Sequence, residues 1–168
     1  RVTDVAQRFP DRQREDGRYY ARDFDLRELR QLNVHERRAE DGRTAVYGHR
    51  FPTRSGHFRI PSLREEIEMV QGLNRSTGRQ VALYPEVKRP AWHREEGVDV
   101  FVLLLKLLAE YGYRKREDAA WLQCFDAAEL KRARKDLGSE LRQVQLLGEN
   151  GWGEASPPVR EAAERRAE

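Results

Sequence analysis

A parallel α/β architecture is what this 168-residue sequence predicts, and three observations carry it. Helical patterns and short apolar runs alternate in the order helix, strand, helix, strand, helix, strand. The runs VALYPEVK, AAWLQCF and QVQLL are compact and apolar, as buried strands are. Between and before them, D-L-R-E at residue 25, S-L-R-E at 62 and D-A-A-E at 126 have capping-box spacing, which marks where helices open. Strands that alternate with helices imply crossover connections and a parallel sheet. The same pattern suits an open doubly wound sheet and a closed barrel alike. No G-x-G-x-x-G or G-x-x-x-x-G-K-[ST] follows a strand, which counts against a dinucleotide or P-loop site.

Taken in order, residues 1–24 are charged and include Pro10, Gly17, Tyr19 and Tyr20, and they predict an irregular surface segment. Asp25 and Glu28 open a short helix whose narrow apolar face is Leu26, Leu29 and Leu32. Residues 34–60 are loop-like, with Gly42, Gly48, Pro52 and Gly56. Ser62 and Glu65 open the next helix, in which Leu63, Ile67, Val70 and Leu73 form one stripe, and residues 74–78 end it. The first strand is residues 81–88, stopped by Arg89 and Pro90. A strongly apolar helix over residues 98–111 has Gly112 as its C-terminal cap. Its Leu103, Leu104 and Leu105 are expected in the core. Residues 119–125 are the second strand, with Trp121 inside it. The third helix turns Ala127, Leu130, Ala133 and Leu137 inward, and residues 143–147 are the third strand. The Gly- and Pro-rich end, residues 151–168, is expected to be a flexible tail.

Composition narrows the class. One domain is expected, large enough for a sizeable core. The net charge of +3 comes from 32 basic and 29 acidic residues, a mixed balance that does not point to a nucleic-acid partner. No aromatic-stacking module for single strands is visible either. Only five basic residues are lysine, and the abundant arginine suits phosphate through its bidentate fork as well as reflecting general arginine usage. VFVLLLKLLA is too short to span a bilayer and carries Lys106, so no integral membrane segment is expected. The lone Cys124 has no internal partner and no metal-site pattern, and is expected to be a buried structural thiol. No signal peptide is present, but a chain that begins at Arg1 says nothing about export.

The chemistry concentrates in VALYPEVKRPAWH, residues 81–93. Glu86 falls at the C-terminal end of a parallel strand, where loops and ligands converge. A carboxylate there suits a hard cation. Lys88, two residues on, has the same facing by the period of a strand. The pair is suited to hold a metal and a phosphate together, or simply to tie the rim as a Glu–Lys pair. Trp92 either walls a pocket or caps the end of the strand. Gln123 and Phe125 end the second strand on the facing opposite Leu122 and Cys124, within reach of the same rim. His35, His49 and His57 are expected as solvated loop histidines, without metal-ligand spacing; His93 lies just past the Glu86 loop.

The stretches RVTDVAQRFPDR, DGRYYARDFDLRELRQL, FRIPSLREEIEMVQGLNRSTGRQVALYPEVKRP, LQCFDAAELKR and VQLL together resemble glycerophosphodiester phosphodiesterases, particularly the periplasmic bacterial type. The likeness covers residues 1–150, expected as one partial domain. The resemblance implies a TIM-type (β/α) barrel that hydrolyses glycerophosphodiesters to glycerol 3-phosphate and an alcohol. It implies a divalent cation, Ca²⁺ in this subgroup or Mg²⁺ elsewhere, and a periplasmic location, the cytoplasm being the alternative. Glu86 would be a metal ligand and Lys88 would face the substrate phosphate. Trp92, His93, Gln123 and Phe125 are candidates for the pocket wall.

The same family carries its catalytic histidines in H-R-G and H-D motifs and two further metal carboxylates in E-x-D. These motifs are missing here, and Arg1-Val2-Thr3 corresponds to a position just after them. About three strand–helix units are present where a whole barrel takes about 250 residues. The expectation is therefore an incomplete barrel, inactive by itself. Its exposed sheet edges would favour self-association. The alternative is a non-catalytic half-barrel that binds a phosphate-bearing ligand or a partner protein.

Overall fold

The computed structural model describes residues 2–39, 41–49 and 58–148. The expected tail at 151–168 and His57 lie outside the described residues. Two units are each compact in themselves, Arg1–Leu63 and Arg64–Glu168.

The first unit is more ordered than its charged sequence predicts. Helix α1 (Val5–Arg8), two 3-10 turns (Pro10–Arg12 and Ala21–Asp23) and helix α2 (Leu26–Leu29) surround a small core of Val5, Phe24 and Leu32. Phe9 meets Phe24 edge to face at 5.3 Å between ring centres. Arginines supply the rest. Arg14 grips Asp23 with two bonds of 2.8 and 2.5 Å, and Arg12 joins the Asp23 carbonyl to Glu28. The irregular stretch is thus stapled by one bidentate and one single ion pair around three apolar side chains. The expected capping box at α2 forms in full: the Glu28 N–H donates to Asp25 Oδ1 at 2.8 Å, and the Asp25 N–H donates to Glu28 Oε2 at 2.9 Å.

The second unit is mixed α/β. Its elements are α3 (Leu63–Thr77, which begins one residue into the first unit), α4 (Pro90–Glu95), α5 (Val100–Glu110), β1 (Trp121–Cys124), α6 (Ala127–Lys135) and β2 (Arg142–Gln145). β1 and β2 are parallel, with Trp121 opposite Arg142 and Cys124 opposite Gln145. Residues 83–87 run parallel along the other side of β1, through bridges Leu83↔Ala120 and Glu86↔Gln123. Four ladder bonds form there: Leu83 N–H to Ala119, Trp121 N–H to Leu83, Gln123 N–H to Pro85, and Val87 N–H to Gln123, all 2.8–3.0 Å. The rung missing from a regular parallel ladder would be donated by residue 85. Proline has no N–H, so the first expected strand survives as two bridges rather than a continuous strand.

One face of this sheet is covered. Leu83, Val87, Leu122 and Cys124 are buried, as are Ile67 of α3, Phe101, Leu104 and Leu108 of α5, and Leu130 and Ala133 of α6. Polar contacts clamp α3 to the end of α5: Arg64 pairs with Glu110 at 2.7 Å, and the Tyr111 hydroxyl bonds Glu68. Two apolar expectations fail. Leu73 is 53% exposed and Leu103 57% exposed, because each lies on the helix side turned from the core. Residues 90–95 also form a helix that their sequence did not announce. Pro90 takes the first helical position, where its missing N–H is harmless.

Cys124 is the buried structural thiol that was expected. Its Sγ donates to the Val87 carbonyl at 3.1 Å and accepts from the Asp126 N–H at 3.3 Å. Burial pushes its pKa up to about 11; the Asp126 N–H works against this, while the negative charges of Asp126, Glu129 and Glu86 add to it.

Two outcomes are expected of this packing. Phe101→Ala, at a fully buried site, should lower unfolding stability by about 3–5 kcal/mol in urea titration, whereas Leu103→Ser should stay within about 0.5 kcal/mol. A disulfide reagent should label Cys124 at pH 8 only after denaturation; rapid labelling of the folded chain would contradict a protonated, enclosed thiol.

Candidate functional site

Glu86 and Lys88 extend from the C-terminal end of the 83–87 segment on the same facing, as the two-residue period of extended chain dictates. The facing opposite is that of Leu83 and Val87, which go into the core. Glu86 is therefore held on the uncovered face of the sheet by its buried neighbours. The Glu86 side chain is 25% exposed, whereas that of Lys88 is 71% exposed. Glu86 Oε1 lies 3.2 Å from Lys88 Nζ, yet it is shut off from solvent and takes no aligned hydrogen bond. A carboxylate oxygen placed in this way, with one off-axis cation beside it, has acceptor capacity left for a further positive ligand.

Gln123 is the Cα partner of Glu86 across the ladder, and its side-chain amide donates to the Tyr84 carbonyl at 2.9 Å. It therefore stands beside Glu86 on the uncovered face. Phe125 comes directly after the end of β1, and its carbonyl accepts from Gln145 at 2.7 Å. Trp92 and His93 lie in α4 and meet edge to face, 4.7 Å between ring centres. The His93 N–H donates to the Arg89 carbonyl at 3.1 Å. His49 is exposed. His35 belongs to the first unit, where it lines a cavity of about 550 Å³ with Asp4 and Arg38.

Sequence reasoning missed two features. The first is Arg89, whose φ of 47° and ψ of 50° put a non-glycine residue in the left-handed region, directly before a proline. That conformation costs roughly 1–3 kcal/mol and persists only where surrounding structure enforces it. Here it turns the chain from the end of the strand straight into α4. The second is a charged network behind α4. Glu129 has a side chain only 5% exposed, and it holds Arg94 of α4 at 2.8 Å and Arg132 of α6 at 2.9 Å. Arg132 also holds Asp99 at 2.9 Å, and Asp99 caps α5 by accepting from the Val102 N–H. Three helices are tied by four side chains. The helix expected over residues 98–111 begins at Val100 with Asp99 as its cap, and the arginine partner of that cap stands 33 residues on.

Burial works against ionisation of Asp99, but the Arg132 and Val102 hydrogen bonds and the charges of Arg132 and Arg94 outweigh it. They hold its carboxyl below the usual aspartate value.

No group of three or more histidine, cysteine or carboxylate side chains able to hold a metal exists among the described residues. Glu86 suits one oxygen ligand of a hard cation, on the strength of its enclosed oxygen. The described residues do not supply a full coordination shell.

A depressed folded-state pKa stabilises the fold above the unfolded value and loses that stabilisation as pH falls through the folded one. Asp99→Asn keeps a good cap residue but removes the charge. Its deficit in unfolding midpoint should be clear at pH 7, should begin to narrow as pH falls below about 4, and should be gone below the depressed folded-state value. A gap that persists at pH 2 would contradict this.

Comparison with known proteins gives this site a context. The glycerophosphoryl diester phosphodiesterase family matches residues 1–166. A glycerophosphodiester phosphodiesterase of Haemophilus influenzae is 46% identical over 159 residues, which is 91% of this chain and 44% of that protein. One of Treponema pallidum is 41% identical over 138 residues, 81% of this chain and 39% of that protein. The chain thus spans about two-fifths of the length of these curated relatives. With the family match covering nearly all of its residues, the chain belongs to the glycerophosphoryl diester phosphodiesterase family.

Proposed function

We propose that this chain contributes the rim of strand ends at which a glycerophosphodiester phosphodiesterase holds its cation and phosphate, and that it carries about three strand–helix units of a TIM-type barrel. The observation that carries this is the Glu86 carboxylate at the end of the 83–87 segment, with one oxygen enclosed and Lys88 alongside. Family membership supplies the substrate class, since the related proteins are named for glycerophosphodiester cleavage.

Glu86 is assigned as one oxygen ligand of a divalent cation, with Ca²⁺ favoured over Mg²⁺ on the resemblance alone. When bound, such an ion polarises phosphoryl oxygens as a Lewis acid. The chain's own residues do the rest of the work assigned here. Lys88, flexible and exposed, offsets phosphate charge. Gln123 packs beside Glu86, and the buried partners Leu83 and Val87 fix the direction of the carboxylate. Trp92 and His93 are assigned to the pocket wall, with Phe125 beyond the end of β1. A periplasmic site of action belongs to the same proposal and rests on the resemblance only.

The chain by itself is assigned no appreciable turnover, because acid–base groups in the family's H-R-G and H-D contexts do not occur in it. The second possibility, a half-barrel that binds a phosphate-bearing ligand without cleaving it, differs in one observable: binding without release of glycerol 3-phosphate in any context.

A chimera separates the two. This chain replaces the matched segment of the Haemophilus influenzae protein, and glycerol 3-phosphate release from glycerophosphocholine is measured with Ca²⁺. The chimera should turn over, and Glu86→Ala should lower kcat/KM by about 100-fold or more, since even residues behind a metal ligand cost about 10–100-fold. The 168-residue chain alone should stay at background. A folded chimera indifferent to Glu86→Ala would remove Glu86 from the chemistry.

A further inference from the structure

Arg89 stands out at this rim for three reasons. Among the described residues it is the non-glycine residue with positive φ, a turn at which glycine would be relaxed. Its guanidinium lies over the Trp92 ring, 5.2 Å from the ring centre. It has no carboxylate partner among the described residues, whereas the nearby Arg94 holds one and Arg132 holds two. Lys88 immediately precedes it, 71% exposed. The strand end therefore presents two consecutive cations, one leaning on Glu86 and the other on an aromatic face.

That arrangement bears on the alcohol half of a diester. Quaternary ammonium groups are recognised by open aromatic faces. Here the Trp92 ring already carries a cation of the chain's own, and His93 stands against it edge-on. A choline group arriving here meets like charge. A hydroxyl or carboxylate meets a planar fork of hydrogen-bond donors.

We propose that Arg89 is a specificity-determining residue, which makes this rim select glycerophosphodiesters whose alcohol offers a hydroxyl or a carboxylate over those with a quaternary ammonium. The inference rests on the phosphodiester site proposed at Glu86 and Lys88.

Amide shifts of residues 83–95 of the 168-residue chain are followed by NMR during titration with glycerophosphoglycerol, glycerophosphoserine and glycerophosphocholine, with Ca²⁺ present. The glycerol and serine diesters should bind about 2- to 5-fold more tightly than the choline diester, the range expected of one exposed charge contact. Arg89→Gly keeps the left-handed turn, deletes the cation and should bring the three affinities level. Arg89→Lys, charged but unable to stack as a plane, should keep part of the order. Choline binding as tight as the others in the unaltered chain, or a ratio unmoved by Arg89→Gly, overturns the role of Arg89. In that case a uniform loss with Lys88→Ala would leave the phosphate site standing. If none of the three diesters shifts these residues, the phosphate site and the selectivity fall together.

Discussion

Parallel pairing between residues 83–87 and β1 holds the candidate site in place. Leu83 and Val87 are drawn into the core, and strand geometry then forces Glu86 and Lys88 onto the opposite face. A slip of one residue would bury both charges and expose both apolar anchors, so the register is strongly specified. Pro85 removes one rung from the ladder without disturbing that register, because the rungs on either side of it still form. The carboxylate is thus aimed by the hydrophobic burial of its chain neighbours, and its Oε1 takes no aligned hydrogen bond, with Lys88 as its ion-pair partner.

Behind this rim, two devices fix the path of the chain beyond the strand. The left-handed turn at Arg89 sends it directly into α4. The pairing of Arg94 with the buried Glu129 then ties α4 to α6, and Arg132 carries the connection on to the cap of α5. Glu129 is the enclosed member, and removing both of its arginines would leave an uncompensated buried charge, at about 3–5 kcal/mol. The strain at Arg89 is small beside that, which explains how a non-glycine residue is kept there. Charge near the site therefore has two separate duties. The Glu129 carboxylate is enclosed and ties helices together; Lys88 and Arg89 are exposed, one leaning on Glu86 and the other on Trp92.

Much of this was legible in the sequence, and each success has a local cause. The Asp25–Glu28 box needed only four residues and formed as its spacing demands. The three apolar runs gave the parallel segments, and the position of Glu86 at the end of one followed from them. The failures are equally physical. PAWHRE is six residues long and lacks apolar periodicity, so its helix depends on Pro90 at the first position and on an ion pair made 35 residues later. Leu73 and Leu103 were assigned to the core because a stripe tells which residues share a helix face, not whether anything covers it. The first 24 residues were taken as surface because arginine ion pairs, which organise them, leave no periodic mark.

The central claim is that Glu86 is a cation ligand and not merely the partner of Lys88. Paramagnetic broadening by Mn²⁺ in NMR spectra of the chain tests it most directly, since Mn²⁺ shares the oxygen preference of Ca²⁺ and Mg²⁺. The account predicts broadening centred on Glu86, Lys88 and Gln123 that disappears in Glu86→Gln. Broadening confined to other carboxylates, or unchanged by that substitution, would contradict it.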